Sequence, residues 1–120
     1  MLQRLDSPDS VLAYEAIGKI EKSDYETELE PAVEAMIAER DEVRFVYVLG
    51  DDFDAYTAGA TWQDTKLGLG HPTKWKRVAV VTNHDWVRHV IGMFGWMVPG
   101  EVKTFAVGEE AAAIEWAATP

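Results

Sequence analysis

The chain of 120 residues contains no cysteine. This absence excludes a disulfide framework, a thiol nucleophile and a zinc site with cysteine ligands, and it is typical of proteins from a reducing compartment. No apolar run reaches the roughly 20 residues that a membrane-spanning helix needs, and the first ten residues have no apolar signal core. We therefore expect a cytoplasmic protein, with contact to a membrane limited to its periphery.

Basic residues are also scarce, since 11 lysines and arginines stand against 21 acidic residues and the net charge is −10. Such a charge argues against nucleic acid as a partner. The charge is uneven, however, because residues 66–103 carry six basic and only two acidic side chains. This basic segment includes the most apolar part of the chain. It predicts a positive, aromatic-rich surface suited to an anionic ligand or headgroup, although chance alone could give the same pattern in a short chain.

The sequence contains no recognisable motif of a catalytic or metal-binding site. The serines are few, and none has the glycines of a nucleophile elbow around it. His84 and His89 are five residues apart and do not share a helix face as HExxH zinc ligands would. Asp85 and His89, four apart, favour a surface pair over a catalytic dyad. We expect no enzymatic activity, no cofactor and no metal.

The apolar patterns predict a single α/β domain over residues 1–120, built in the order β-β-α-β-α-β-α-β-α. Two short strands form an N-terminal hairpin, and alternating helices and strands then predict a mainly parallel sheet with right-handed crossovers. The predicted strands are residues 2–5, 11–17, 43–49, 78–81 and 102–107, and the predicted helices are residues 23–40, 57–69, 84–96 and a short one from 109.

The helix predicted over residues 84–96 is the most apolar one. Its hydrophobic residues fall on one arc of roughly 160°, which is wider than a core-facing helix needs. Trp96 lies on the opposite, polar side, next to His89. Two explanations stay open: a loop covers Trp96, or Trp96 is exposed and contacts a ligand, a partner or a lipid surface.

Several local patterns together resemble the SpoIIAA-like family, which has a STAS domain fold, and the match extends over nearly the whole chain. The patterns are Asp24-Tyr25 at a helix start, Trp62…Asp64…Lys66…His71, Trp75-x-Arg77-Val78-Ala79-Val80-Val81, Trp86 at the next helix, and Phe105 followed by Ala112…Trp116. The resemblance implies a βα superhelix whose parallel strands follow sequence order. It also implies distant fold kinship with CRAL-TRIO (SEC14-like) lipid-binding domains.

The family name further implies an anti-sigma-factor antagonist that is switched by phosphorylation. In such proteins a serine in an Asp-Ser-Ser-Gly type motif accepts the phosphate. The corresponding stretch, residues 52–61, has no serine, and Thr57 and Thr61 are the substitute candidates. A phosphate there would meet neighbouring aspartates without a basic clamp, which disfavours the switch.

We interpret the chain as a non-enzymatic module that binds an apolar or amphipathic, lipid-like acidic small molecule. The predicted ligand site lies between the helices of residues 57–69 and 84–96. Its residues are Trp62, Lys66, His71, Trp86, Arg88 and Phe94, and the predicted membrane or partner contacts are Phe94, Trp96 and Met97. The alternative is a protein-interaction regulator of the anti-sigma-factor-antagonist type, with or without threonine phosphorylation, in which the Trp96 surface docks a protein partner or a second copy as a homodimer.

Overall fold

The computed structural model describes residues 1–53, 74–94 and 100–119, and for residues 51–53, 86, 90, 91, 93 and 94 it describes the backbone alone. The predicted α/β class is confirmed. The strands are β1 (Leu2–Arg4), β2 (Leu12–Gly18), β3 (Val43–Phe53), β4 (Trp75–Thr82) and β5 (Glu101–Phe105). The helices are α1 (Lys22–Asp24), α2 (Glu30–Arg40), α3 (Asp85–Phe94) and α4 (Glu110–Ala118). The helix predicted over residues 57–69 lies outside the described residues.

The five strands form one sheet in the order β1-β2-β3-β4-β5. β1 and β2 are the predicted antiparallel hairpin, and the other neighbours pair in parallel. Sequence order and sheet order are therefore the same, as the resemblance implies. β3 continues four residues beyond its predicted end, because Phe53 still pairs with Gly18 across a register shift in β2. Asp51 and Asp52, which follow the predicted end of the strand at residue 49, thus belong to β3.

The helix predicted over residues 23–40 begins one residue earlier and contains an irregular turn. Asp24 closes its first turn by accepting a hydrogen bond from Glu21 N at 2.8 Å. A π-helical turn (Tyr25–Leu29) joins α1 to α2, and it ends where Glu30 N bonds Tyr25 O. Pro31 follows at the start of α2. The wider turn lies directly before this proline, which has no N–H for an interior helical bond.

The sheet separates two apolar layers because alternate strand residues point to opposite faces. We call them the α2 face and the α4 face. On the α2 face, Phe45 and Tyr47 of β3 are buried with Val33 of α2 and Val87 of α3. On the α4 face, Val46 and Val48 are buried with two alanines of α4. The helices before β3 and after β4 thus share one face, whereas the helix after β5 covers the other.

No helix that the structure describes combines the length and the apolar character that a transmembrane span requires.

Candidate functional site

The chain leaves β4 and β5 toward opposite faces of the sheet, which separates the carboxyl ends of these two strands. α3 follows β4 and packs on the α2 face, and α4 follows β5 and packs on the α4 face. In open α/β sheets, ligands bind in the crevice that forms where neighbouring strands exit in this way. The carboxyl ends of β4 and β5 are therefore the candidate site in the described part of the chain.

Arg88 closes the end of β4. Its Nε and Nη2 both donate to Thr82 O, at 3.0 and 2.8 Å. The Thr82 side chain is fully buried, and its Oγ1 accepts a hydrogen bond from His84 N at 3.0 Å. The Thr82 hydroxyl thus accepts the backbone N–H of the turn that follows β4, and the Thr82 carbonyl oxygen holds the guanidinium of the half-buried Arg88.

His84 joins this network to the neighbouring strand. Its Nε2 donates to Gly50 O in β3 at 3.2 Å, since a carbonyl oxygen can only accept. His84 also begins the helix, because its carbonyl oxygen accepts from Val87 N and Arg88 N. The imidazole therefore fixes the start of α3 against the end of β3.

The far side of the crevice is formed by the turn between β5 and α4. Asn83 bridges the two sides, since its Oδ1 accepts a hydrogen bond from Val107 N at 3.1 Å. The carboxylates of Glu109 and Glu110 accept bonds from Ala106 N and Gly108 N, at 2.7 and 3.0 Å. These backbone donors are already occupied by the protein's own carboxylates, so an anion gains little at the start of α4.

A second polar feature is buried in the α2 face. The hydroxyl oxygens of Tyr25 and Tyr47 lie 2.8 Å apart. Burial raises the pKa of Tyr25 to about 12, against a hydrogen bond from Tyr47 that lowers it. Burial also raises the pKa of Tyr47, and the neighbouring Tyr25 adds to this increase. Both hydroxyls are therefore neutral at physiological pH. The hydrogen bond between them joins β3 to the π-helical turn that precedes α2.

The described residues hold no group of three or more histidine, aspartate or glutamate side chains arranged to bind a metal ion.

Of the side chains predicted to bind the ligand, Arg88 is the one that the structure describes. Trp86 and Phe94 lie on α3, where only their backbone is described. Seven other predicted residues lie outside the described residues, so their roles in ligand binding, membrane contact and phosphorylation stay predictions: Thr57, Thr61, Trp62, Lys66, His71, Trp96 and Met97.

Sequence reasoning missed Thr82, Gly50 and the role of His84. A threonine at the end of an apolar strand and a histidine two residues later were the available signals, but both residue types are common at such positions. Gly50 contributes only a backbone carbonyl, which leaves no trace in residue type.

Comparison with known proteins agrees with this architecture. The family model described as SpoIIAA-like matches residues 11–118. Among solved structures, the chain is similar to an uncharacterized protein of the DUF3478 family from Shewanella loihica PV-4, which has a SpoIIAA-like fold. The identity is 29%, the TM-score is 0.62, and the match covers 97% of this chain and 91% of that one. No curated protein matches. The chain belongs to the SpoIIAA-like family.

Proposed function

We propose that the chain is a non-enzymatic binding module for an apolar or amphipathic acidic small molecule, and that Arg88 receives the carboxylate or phosphate of the ligand. One observation carries this proposal. The Arg88 guanidinium is held on Thr82 O by two of its five N–H groups, and the described residues give its other N–H groups no acceptor.

The anchored geometry favours anion binding for two reasons. First, a guanidinium that is already held in place loses less side-chain entropy when a ligand binds. Second, Arg88 is half-buried, and a charge-assisted hydrogen bond is stronger where water is partly excluded. A planar fork with remaining donors also suits the two oxygens of a carboxylate.

The position of Arg88 supports the same proposal. It lies at the end of β4 where the chain exits toward the α2 face, beside the crevice between β4 and β5. The competing anion site at the start of α4 is filled by Glu109 and Glu110. An acidic headgroup is therefore directed to Arg88.

The apolar part of the ligand would contact the aromatic residues that the sequence predicts for this site, Trp62, Trp86 and Phe94, with Lys66 and His71 adding positive charge. The peripheral membrane contact through Phe94, Trp96 and Met97 belongs to the same proposal. A ligand with a long alkyl chain and an acidic head would satisfy both groups of residues.

Calorimetric titration with decanoate and with decanol tests the proposal. The two probes share an alkyl chain and differ in charge, so we expect decanoate to bind more tightly. Arg88→Gln should weaken decanoate binding by about tenfold or more and leave decanol binding nearly unchanged. The decanoate affinity of Arg88→Lys should lie between those of Arg88→Gln and the unmodified chain. Lysine keeps the positive charge but lacks the planar guanidinium that can bind two carboxylate oxygens at once.

Arg40→Gln is the matched control, since Arg40 is exposed at the end of α2 and the substitution makes the same change in charge. Equal binding of the two probes, or equal affinity of Arg88→Gln and the unmodified chain, would contradict the role of Arg88.

Native mass spectrometry of the freshly purified protein would show a co-purified acid. Loss of liposome flotation in Trp96→Ser would support the membrane contact.

A further inference from the structure

The outer edge of β5 is open in the part of the chain that the structure describes. β5 is the last strand of the sheet and pairs with β4 over all five of its residues. No other described strand lies beside it. An open edge presents unpaired backbone N–H and C=O groups to any strand that can approach.

We propose that β5 pairs with β5 of a second copy of this chain, in antiparallel orientation and centred on Val102. A two-fold axis at Val102 places Glu101 opposite the partner's Lys103, and Lys103 opposite the partner's Glu101. The segment Glu101-Val102-Lys103 is therefore complementary in charge to itself. The result is a continuous sheet of ten strands.

The charges select this register over its neighbours. A two-fold axis at Lys103 would place two lysines directly opposite each other, which is unfavourable. An axis at Thr104 would place Lys103 opposite Phe105 and leave both glutamates without a basic neighbour across the pair. Centring on Val102 is the arrangement in which both charged residues of the strand gain an opposite charge.

The described residues around β5 leave room for this pairing. Glu101 and Lys103 lie on the α4 face, where α4 packs mainly over β3 and β4. The Glu101 side chain is 66% exposed and forms an ion pair with Arg77 Nε at 3.6 Å. On the opposite face α3 contacts both β4 and β5. Pairing of the two β5 strands therefore brings the two copies of α3 side by side.

The other open edge is less suited to pairing. β1 has three residues, against five in β5. Very short edge strands are one of the features by which proteins avoid pairing with another chain. The inference is independent of the ligand, since Arg88 lies outside β5.

A single introduced cysteine tests the register directly, because the chain contains none of its own. Val102→Cys places two thiols opposite each other at a separation that a disulfide can span. Thr104→Cys is the matched control. In the proposed register the two Thr104 positions are four residues apart along the strand, or roughly 13 Å, which is too far for a disulfide. Under oxidising conditions we expect a covalent dimer from Val102→Cys and none from Thr104→Cys.

Charge reversal provides an independent test by sedimentation equilibrium of the cysteine-free chain. Glu101→Lys and Lys103→Glu each place like charges opposite each other and should weaken the dimer by about tenfold. The double variant restores opposite charges and should recover the dimer. Thermal unfolding of each variant checks that the fold is intact, since Glu101 contacts Arg77 and Lys103 lies over the Phe105 and Trp116 rings.

Each outcome bears on the proposal. A chain that remains monomeric at millimolar concentration overturns it. A dimer that is cross-linked through Thr104→Cys and not through Val102→Cys overturns the register, and a dimer cross-linked by neither variant places the interface elsewhere. Failure of the double charge variant to recover the association of the folded chain also overturns it.

Discussion

Arg44 and Arg77 lie directly opposite each other on β3 and β4, and both donate to carbonyl oxygens at the end of α4. Arg44 Nη1 contacts Ala117 O and Thr119 O at 2.9 and 2.8 Å. Arg77 Nη1 contacts Trp116 O at 2.7 Å. The last carbonyls of a helix lack partners within the helix and carry partial negative charge. Two guanidinium groups therefore hold α4 on the sheet from below its final turn.

Arg44→Ala should lower the free energy of unfolding by about 2 kcal/mol, because two charge-assisted bonds to the end of α4 are lost. Arg44 also pairs with Glu42 at 3.0 Å, and its side chain is only 14% exposed. Urea denaturation followed by circular dichroism measures the change. Arg40→Ala, at an exposed position, is the control and should change stability little. Equal stability of the two variants would show that the arginine clamp adds nothing.

Gly100→Ala should be among the most destabilising single substitutions, costing about 3 kcal/mol or more. Gly100 has a φ of +97°, and a Cβ there would lie 2.3 Å from Trp75 O and 2.7 Å from Lys76 O. Neither backbone carbonyl can move without disturbing β4. Gly92→Ala, in α3, meets nothing within 4 Å and should raise stability by about 0.5–1 kcal/mol. The urea midpoints of the two variants show whether stability falls in Gly100→Ala and rises in Gly92→Ala. Unchanged stability of Gly100→Ala would contradict the close approach of Gly100 to the start of β4.

The buried tyrosine pair should make the fold sensitive to high pH. The pKa of Tyr25 is raised from 10.0 to about 12, and the pKa of Tyr47 is raised as well. A raised pKa means that the folded state retains its proton more tightly than the unfolded state. The resulting stability is complete below pH 10 and is lost as the pH rises through about 12. We expect the urea midpoint to fall steeply over this interval.

Replacing both hydroxyls identifies their contribution. Tyr25→Phe or Tyr47→Phe should each lower the free energy of unfolding by about 1 kcal/mol at pH 7, because each removes the buried hydrogen bond between the two hydroxyls. The double variant should cost less than the sum of the two, and its stability should fall less steeply at alkaline pH. The same steepness in the unmodified chain and in the double variant would assign the alkaline transition to other groups.

Thr82→Val should lower the free energy of unfolding by about 1 kcal/mol, since valine has nearly the same shape but leaves His84 N without its acceptor. Thr82→Ser keeps the hydroxyl and is the matched comparison. We also expect Thr82→Val to weaken decanoate binding, because the turn that positions Arg88 is loosened. If Thr82→Ser weakens binding as much as Thr82→Val, the hydroxyl is not what positions the turn.

The order of the elements could be predicted from local patterns. The run Val43-Arg44-Phe45-Val46-Tyr47 alternates between the two faces of a strand that is covered on both, and the apolar periodicity over residues 84–96 indicates a helix. Each of these patterns involves residues that are close together in the chain, so the sequence alone is enough to recognise them. The end of β3 was predicted wrongly because Asp51 and Asp52 usually favour turns, whereas pairing with β2 keeps this backbone extended.

The candidate site depends on contacts that no local pattern encodes. Arg88 was singled out as a charge for a ligand, but its anchor, Thr82 O, is a backbone atom whose availability depends on where β4 ends. The contact from His84 to Gly50 joins residues 34 positions apart. The register between neighbouring strands determines which residues become hydrogen-bond partners of this kind.

The sequence by itself determined the α/β class and the order of helices and strands along the chain, because periodicity and short apolar runs specify which face of each element is buried. The resemblance to the SpoIIAA-like family implied in addition that the strands of the sheet follow sequence order. Only the tertiary structure decided that Arg44 and Arg77 meet beneath α4, that α4 crosses to the face opposite α3, and that Glu101 and Lys103 lie on the last strand of the described sheet. Register and crossing depend on pairing between distant segments. Their free energy comes from the assembled sheet and not from any single stretch of chain.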